Sequence, residues 1–197
     1  MRELEDVETV GVVGAGTMGN GIAQVAATSG YDVVMRDVER SFVEEGLEAI
    51  EDSLSRFVDR DALTESEAEA VLDRVYGTTD LADLAAADLV VEAVVEEMDV
   101  KRDVFADLDR VCDDGVVLAT NTSTLSITTI AAATDRPELV VGLHFMNPVP
   151  VMDGVELVVG ERTDPAVVDL AHAFAESLDK ETWEADDKPG FVTNRIL

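Results

Sequence analysis

His144 is the side chain of this sequence best suited to move a proton. An unperturbed imidazole titrates near about 6.5, so it can serve as acid and as base at neutral pH. It closes an apolar run and opens the stretch His144-Phe-Met-Asn-Pro148. A lone histidine after a strand can equally be a satisfied core residue. Glu156 stands inside the apolar segment Val155-Glu-Leu-Val158, where a carboxylate is costly unless paired. A histidine partner would account for it, the carboxylate fixing tautomer and orientation as the Asp of a catalytic triad does. The alternative is an edge-strand Glu that faces water. The other histidine, His172, lies mid-helix between Ala171 and Ala173 and reads as a helix-face residue.

Glycines carry a second kind of chemistry. Val10-Gly-Val-Val-Gly-Ala-Gly-Thr-Met-Gly19 reads as a strand that enters a G-x-G-x-x-G turn and opens a helix. Gly14 allows the tight turn, Gly16 lets backbone approach a pyrophosphate, and Gly19 lets the helix lie close to the sheet. The anion would sit on unpaired N–H groups at the positive end of the helix dipole. The pattern alone is weak, but its context is specific. A second strand, 32–37, completes a βαβ unit, and Asp37 follows Gly19 by 18 positions. An acid there meets the adenosine ribose hydroxyls. Asp37 favours NAD over NADP, because a 2′-phosphate would face a carboxylate; Arg36, beside it, could accept that phosphate.

These residues need a scaffold. Strand and helix patterns alternate along the chain and predict an α/β doubly wound sheet of the Rossmann type, mostly parallel. Ser41-x-x-Glu44 and Thr64-x-x-Glu67 read as capping boxes. They start two helices, 41–60 and one carrying Val71, Leu72 and Val75, which form a helical pair inserted at 41–76. Strands are expected at 88–94, 116–120, 139–143, 155–159 and 182–184. Helices are expected at 98–111, 125–133 and from Pro165 to about 178. Ligands of a parallel sheet bind at the carboxyl ends of its strands, where Glu92 to Glu96, Asn121 to Ser123 and His144 to Asn147 fall. Residues 1–188 read as one dinucleotide-binding domain, and Phe191 to Leu197 as the start of a helix.

Composition narrows the class. Of 197 residues, 14 are Lys or Arg and 43 Asp or Glu, for a net charge of −29. Such a surface repels nucleic acid and anionic membranes. The acids are spread along the chain, so they read as solvated faces whose repulsion salt would screen. A salt-adapted, cytoplasmic protein is expected. No apolar run approaches a membrane span, and the start lacks the apolar segment of a signal peptide. The single Cys112 has no disulfide or metal partner in the sequence and reads as a small core residue; no metal site is expected.

Gly14-Ala-Gly-Thr-Met-Gly-Asn-Gly-Ile-Ala23, Asn121-Thr-Ser123, His144-Phe-Met-Asn-Pro-Val-Pro150, Glu156 and Pro189-Gly-Phe-Val-Thr-Asn-Arg195 together resemble the NAD-binding domain of L-3-hydroxyacyl-CoA dehydrogenases, which include the 3-hydroxybutyryl-CoA dehydrogenases. The resemblance runs over nearly the whole chain. It implies oxidation of an L-3-hydroxyacyl-CoA by hydride transfer to NAD. His144 would be the catalytic base and Glu156 its orienting partner. Ser123 would contact substrate and nicotinamide, and Asn194 the substrate oxygen. The dinucleotide would lie over Gly14, Ala15, Gly16, Thr17, Met18 and Gly19, with Asp37, Glu96 and Lys101 around it. Ser53 and Arg60 would contact coenzyme A, Arg60 replacing the usual Lys, and Asn147 would meet substrate. Met146 replaces the usual Phe. Asp153-Gly154 stands where Lys-Leu is usual, which bears on the strand that carries Glu156. The family continues into a helical domain that completes the acyl pocket and dimerises; the resemblance implies that 189–197 begin that domain, truncated, and the chain is expected to lack the rest. The alternatives are a dehydrogenase of a free polyol acid such as gulonate, or a non-catalytic NAD-binding module.

Overall fold

The computed structural model describes residues 3–188, and these build one eight-stranded sheet in the order β3-β2-β1-β4-β5-β6-β7-β8. The strands are β1 Thr9–Val13, β2 Asp32–Arg36, β3 Val75–Thr78, β4 Leu89–Glu92, β5 Val117–Thr120, β6 Val140–Phe145, β7 Gly154–Val159 and β8 Glu181–Asp186. All neighbours pair in parallel except β6 and β7. The order reverses between β1 and β4, which is the switch point where doubly wound sheets bind ligands. The helices are α1 Thr17–Thr28, α2 Arg40–Val58, α3 Glu65–Leu72, α4 Met98–Val111, α5 Ile127–Ala131 and α6 Pro165–Ser177.

Both faces of the sheet are covered, so its central strands are apolar on both sides. Val10, Val12, Val33, Met35, Val141 and Leu143 face one core with α1, α2 and α6. Val13, Val90, Leu118, Val140 and Val158 face a second with α4 and α5. His144 and Glu156 alternate with Leu143, Phe145, Val155 and Leu157 and so stand on the α4/α5 side.

Several elements depart from the expected bounds. The inserted pair ends at Leu72, because Val75 belongs to β3, parallel to β2. Val75 satisfies helical spacing from Val71, but the chain turns at Arg74. A four-residue strand with an exposed Tyr76 and a half-buried Gly77 offers too little alternation to be read. Gly77 is where α2 presses in: a Cβ there would stand 2.6 Å from Val43. The Ser41 capping box is not formed. The helix starts one residue earlier, with Glu39 at the N-cap and no side-chain bond, so Ser41 is already helical. The Thr64–Glu67 box is formed in both directions. Helix 125–133 shortens to α5, capped by Ser126. Asp187 also holds its start, accepting from the Ile127 and Thr128 N–H groups and the Ser126 hydroxyl. Strand 88–94 stops at Glu92, whose own carboxylate accepts the Val94 N–H.

Glu156 is not on an edge strand. β8 lies on the far side of β7 from β6, and Glu156 has no exposed surface. Cys112 ends α4, buried, its thiol pushed up to about 11 by desolvation. Among the described residues no helix is long and apolar enough to cross a membrane.

Candidate active site

The glycine turn has the geometry its sequence requires. Gly14 has φ +101°, and a Cβ there would stand 2.6 Å from the Ala93 carbonyl oxygen. A Cβ on Gly19 would fall 1.7 Å from the Gly14 oxygen, so only glycine lets α1 lie this close to β1. A Cβ on Gly16, the N-cap of α1, would meet nothing within 4 Å. That space is open at the positive end of a twelve-residue helix.

Asp37 closes the loop from β2. Its carboxylate accepts the Ala15 N–H at 2.7 Å and the Val38 N–H at 2.6 Å. A cavity of about 550 Å³ lies between, walled by Gly14 to Thr17, Arg36, Asp37, Val38, Phe42 and Val95 among others. Arg36 Nε is buried there with no hydrogen-bond partner.

A second cavity of about 370 Å³ opens beyond Ala93 and Val94, which wall both. It gathers Met18, Glu96, Asn121, Ser123, His144, Met146 and Asn147. Residues from the ends of three strands, β4, β5 and β6, and from α1 thus meet beside the switch point. A ligand passing over Ala93 and Val94 would reach from Asp37 to His144.

His144 and Glu156 are register partners across β6 and β7, and Nδ1 lies 3.1 Å from Glu156 Oε2. His144 is one-eighth exposed and Glu156 wholly buried. With Glu156 ionised, Nδ1 donates, so the neutral ring carries its lone pair on Nε2. Gly154 is the first residue of β7, and its carbonyl accepts the Met146 N–H at 3.3 Å. Asn121 accepts the Phe145 N–H at 2.9 Å and ties β5 to the His144 strand end. A cis peptide joins Asn147 to Pro148.

Glu96 organises the Ser123 turn. Its Oε1 accepts from the Ser123 N–H and hydroxyl at 2.8 and 3.0 Å and from the Thr122 hydroxyl at 2.7 Å. Burial alone would push this carboxyl up. Hydrogen bonds from Thr122 and Ser123 and the Lys101 charge outweigh it and hold the group below its ordinary range.

Lys101 walls neither cavity. It is 1% exposed, with Nζ 2.6 Å from Glu92 Oε1, 3.3 Å from the Val94 carbonyl and 3.6 Å from Glu96. It thus supports from behind the wall that Val94 and Glu96 give the cavities. Desolvating a charge costs several kcal/mol, which three oxygen partners offset. Glu92 fixes the arrangement through the Thr120 hydroxyl at 2.7 Å and the Val94 N–H.

Ser53 and Arg60 lie outside both cavities, on α2 and just beyond its end, with Arg60 exposed. Asn194 lies outside the described residues. His172 is held by Thr182 at 2.7 Å and Glu184 at 3.1 Å, on the opposite face from His144. Among the described residues no group of three or more His, Cys, Asp or Glu could hold a metal ion.

Lys180 was not marked by any motif. Its Nζ donates to the carbonyls of Val149 and Met152 at 2.9 and 2.8 Å, clamping the loop after Asn147. Scarcity was the available signal. The chain has three lysines, Lys101, Lys180 and Lys188, and the first two are buried.

A family model described as 3-hydroxyacyl-CoA dehydrogenase, NAD binding domain, matches residues 9–188. The chain is 45% identical over 191 residues to a 3-hydroxybutyryl-CoA dehydrogenase of Bradyrhizobium diazoefficiens, covering 97% of this chain and 65% of that one. It is 46% identical over 187 residues to a probable 3-hydroxybutyryl-CoA dehydrogenase of Deinococcus radiodurans, covering 95% and 67%. The crystal structure of the (S)-3-hydroxybutyryl-CoA dehydrogenase of Ralstonia eutropha superposes with a TM-score of 0.95 at 42% identity, over 97% of this chain and 68% of that one. The chain spans about two thirds of the length of these relatives.

Proposed function

The chain belongs to the 3-hydroxyacyl-CoA dehydrogenase family, and from that premise we propose that it carries the NAD site and the acid–base pair of an enzyme that interconverts an L-3-hydroxyacyl-CoA and its 3-oxoacyl-CoA. The observation that carries this reading is the buried Glu156 carboxylate 3.1 Å from His144, at a cavity that shares the wall of Ala93 and Val94 with the one at the glycine turn.

The residues present fit a dinucleotide. Gly16 leaves open space at a helix N-terminus, and Asp37 stands where ribose hydroxyls would meet it. Gly14 to Gly19 would cradle the pyrophosphate, and Ser123 would face the nicotinamide end. The dinucleotide supplies the hydride acceptor or donor. Asp37 disfavours a 2′-phosphate, so NAD is the cofactor.

In the oxidative direction His144 Nε2 takes the proton of the 3-hydroxyl, and Glu156 stabilises the imidazolium. In reverse the same nitrogen returns the proton to the developing alkoxide. Ser123, fixed by Glu96, and Asn147 would bind substrate near the reacting carbon, and Asn194 would hydrogen-bond its oxygen. Ser53 and Arg60 would hold the coenzyme A moiety outside the cavities.

We further infer a salt-rich cytoplasm as its setting. The net charge of −29 and the single buried Cys112 support that. The test is NADH oxidation with acetoacetyl-CoA in molar KCl, with the chain alone and with a helical domain from a relative supplied in trans. Turnover in either arm that is lost in His144→Gln supports the proposal. NADH binding with no turnover in both arms would leave a binding module instead.

A further inference from the structure

β8 brings a third side chain into the row of His144 and Glu156. Glu156 pairs in register with His144 on one side and with Trp183 on the other. Register partners project to the same face of a sheet, so the three stand side by side. The indole reaches back over Gly154. A Cβ built on that glycine would stand 2.6 Å from Trp183 Cη2, 2.9 Å from Cζ3 and 3.5 Å from Met146 Cγ. Met146 walls the cavity that holds His144. Trp183 is 37% exposed and Glu156 0%. The ring thus occupies the volume that a side chain at 154 would fill, between solvent and the row that ends at His144.

We infer that Trp183 is a positioning residue for the acid–base pair, with Gly154 as the space that admits it. The indole excludes water from the Glu156 side of the pair and backs Met146. In a dry site the Glu156–His144 hydrogen bond holds one tautomer; hydration weakens it. The inference rests on the acid–base reading of these two residues, but its test does not depend on turnover.

The chain has two histidines and one tryptophan, so imidazole ¹⁵N spectra are assignable with His172→Gln. Above the imidazole titration, wild-type His144 is expected as the Nδ1–H tautomer. Trp183→Val removes the ring and shifts the spectrum toward Nε2–H. Adding Gly154→Leu to that variant refills the volume and restores Nδ1–H. Trp183→Phe keeps a ring over Gly154 and keeps the wild-type tautomer, which preserves the test if the valine variant does not fold. Gly154→Leu alone, against the intact indole, also disturbs it.

In NADH-dependent turnover, Trp183→Val lowers kcat by roughly tenfold, within what small misplacements of a catalytic group cost, with KM for NADH unchanged. The double variant recovers it. An unchanged tautomer in Trp183→Val, or a double variant no better than the single one, overturns the inference. A wild-type chain with no turnover, alone or with the helical domain supplied, but with these spectral shifts would overturn the proposed function and leave the positioning role standing.

Discussion

Glu156 meets His144 at 3.1 Å across the antiparallel pair of β6 and β7, and it does so with no exposed surface of its own. Burying an unpaired carboxylate would cost several kcal/mol. The pairing therefore explains why an acid is tolerated between Val155 and Leu157. It also fixes which imidazole nitrogen carries the proton in the neutral ring. The reversal of direction between β6 and β7 makes this possible: it places residue 156 opposite residue 144 through a short loop, which Lys180 clamps at two carbonyls.

The three glycines of the turn separate fold from binding. Gly19→Ala puts a methyl 1.7 Å from the Gly14 oxygen, so α1 must shift; about 3 kcal/mol of stability is lost, the upper end of overpacking costs. Gly16→Ala meets no protein atom within 4 Å. Its melting temperature without ligand stays at the wild-type value, while NADH affinity falls at least about tenfold, or about 1.4 kcal/mol. Thermal melts paired with NADH titration check both.

Lys101 is a structural counter-charge. Lys101→Met strands the buried Glu92 carboxylate, and removing one partner of a buried pair costs about 3–5 kcal/mol. The double variant Glu92→Gln/Lys101→Met recovers most of it. Urea denaturation of the two variants measures the difference. A Lys101→Met variant as stable as wild type would place the ammonium outside the network at Glu92.

Glu96 gives the acid side of the stability profile a definite sign. Its carboxyl is held below the ordinary range in the folded chain. That contribution is fully present above the unfolded carboxylate value of about 4.3. It is lost as pH falls through the lower folded value. Glu96→Gln should therefore destabilise the chain at pH 7, and by less at pH 3. Chemical denaturation at the two pH values checks it.

Charge makes stability depend on salt. With 43 acidic against 14 basic residues, repulsion acts over a Debye length of about 10 Å at 0.1 M salt and only about 3 Å at 1 M. The melting temperature in 2 M KCl should exceed that in 0.1 M by roughly 4–8 °C, equivalent to about 2 kcal/mol. A flat profile would contradict salt adaptation.

Periodicity and punctuation sufficed where one residue type had one physical task. Gly14 and Gly19 take their conformations from clashes any side chain would cause, and the Thr64–Glu67 box is purely local. Asp37 and Glu156 were legible because an acid at a strand end or inside an apolar strand needs a reason. Tertiary context decided the rest. β3 exists because β2 offers it an edge, and no alternation within Val75–Thr78 announces it. Ser41 lost its capping role to a helix start set by the loop after Asp37. Spacing could not show that the Lys101 side chain is buried against Glu92 and the Val94 carbonyl. Trp183 carried no motif; only the register of β7 and β8 brings it beside Glu156.

The most direct measurement is the rate of acetoacetyl-CoA-dependent NADH oxidation in molar KCl for wild type, His144→Gln and Glu156→Gln, assayed with the helical domain present, alongside NADH affinity by fluorescence. Wild type should turn over. Both variants should lose about 10²–10⁴ in kcat, the range of general acid–base catalysis, with NADH affinity unchanged. A His144→Gln variant that retains full turnover would contradict the assignment of His144 as the proton-transferring group.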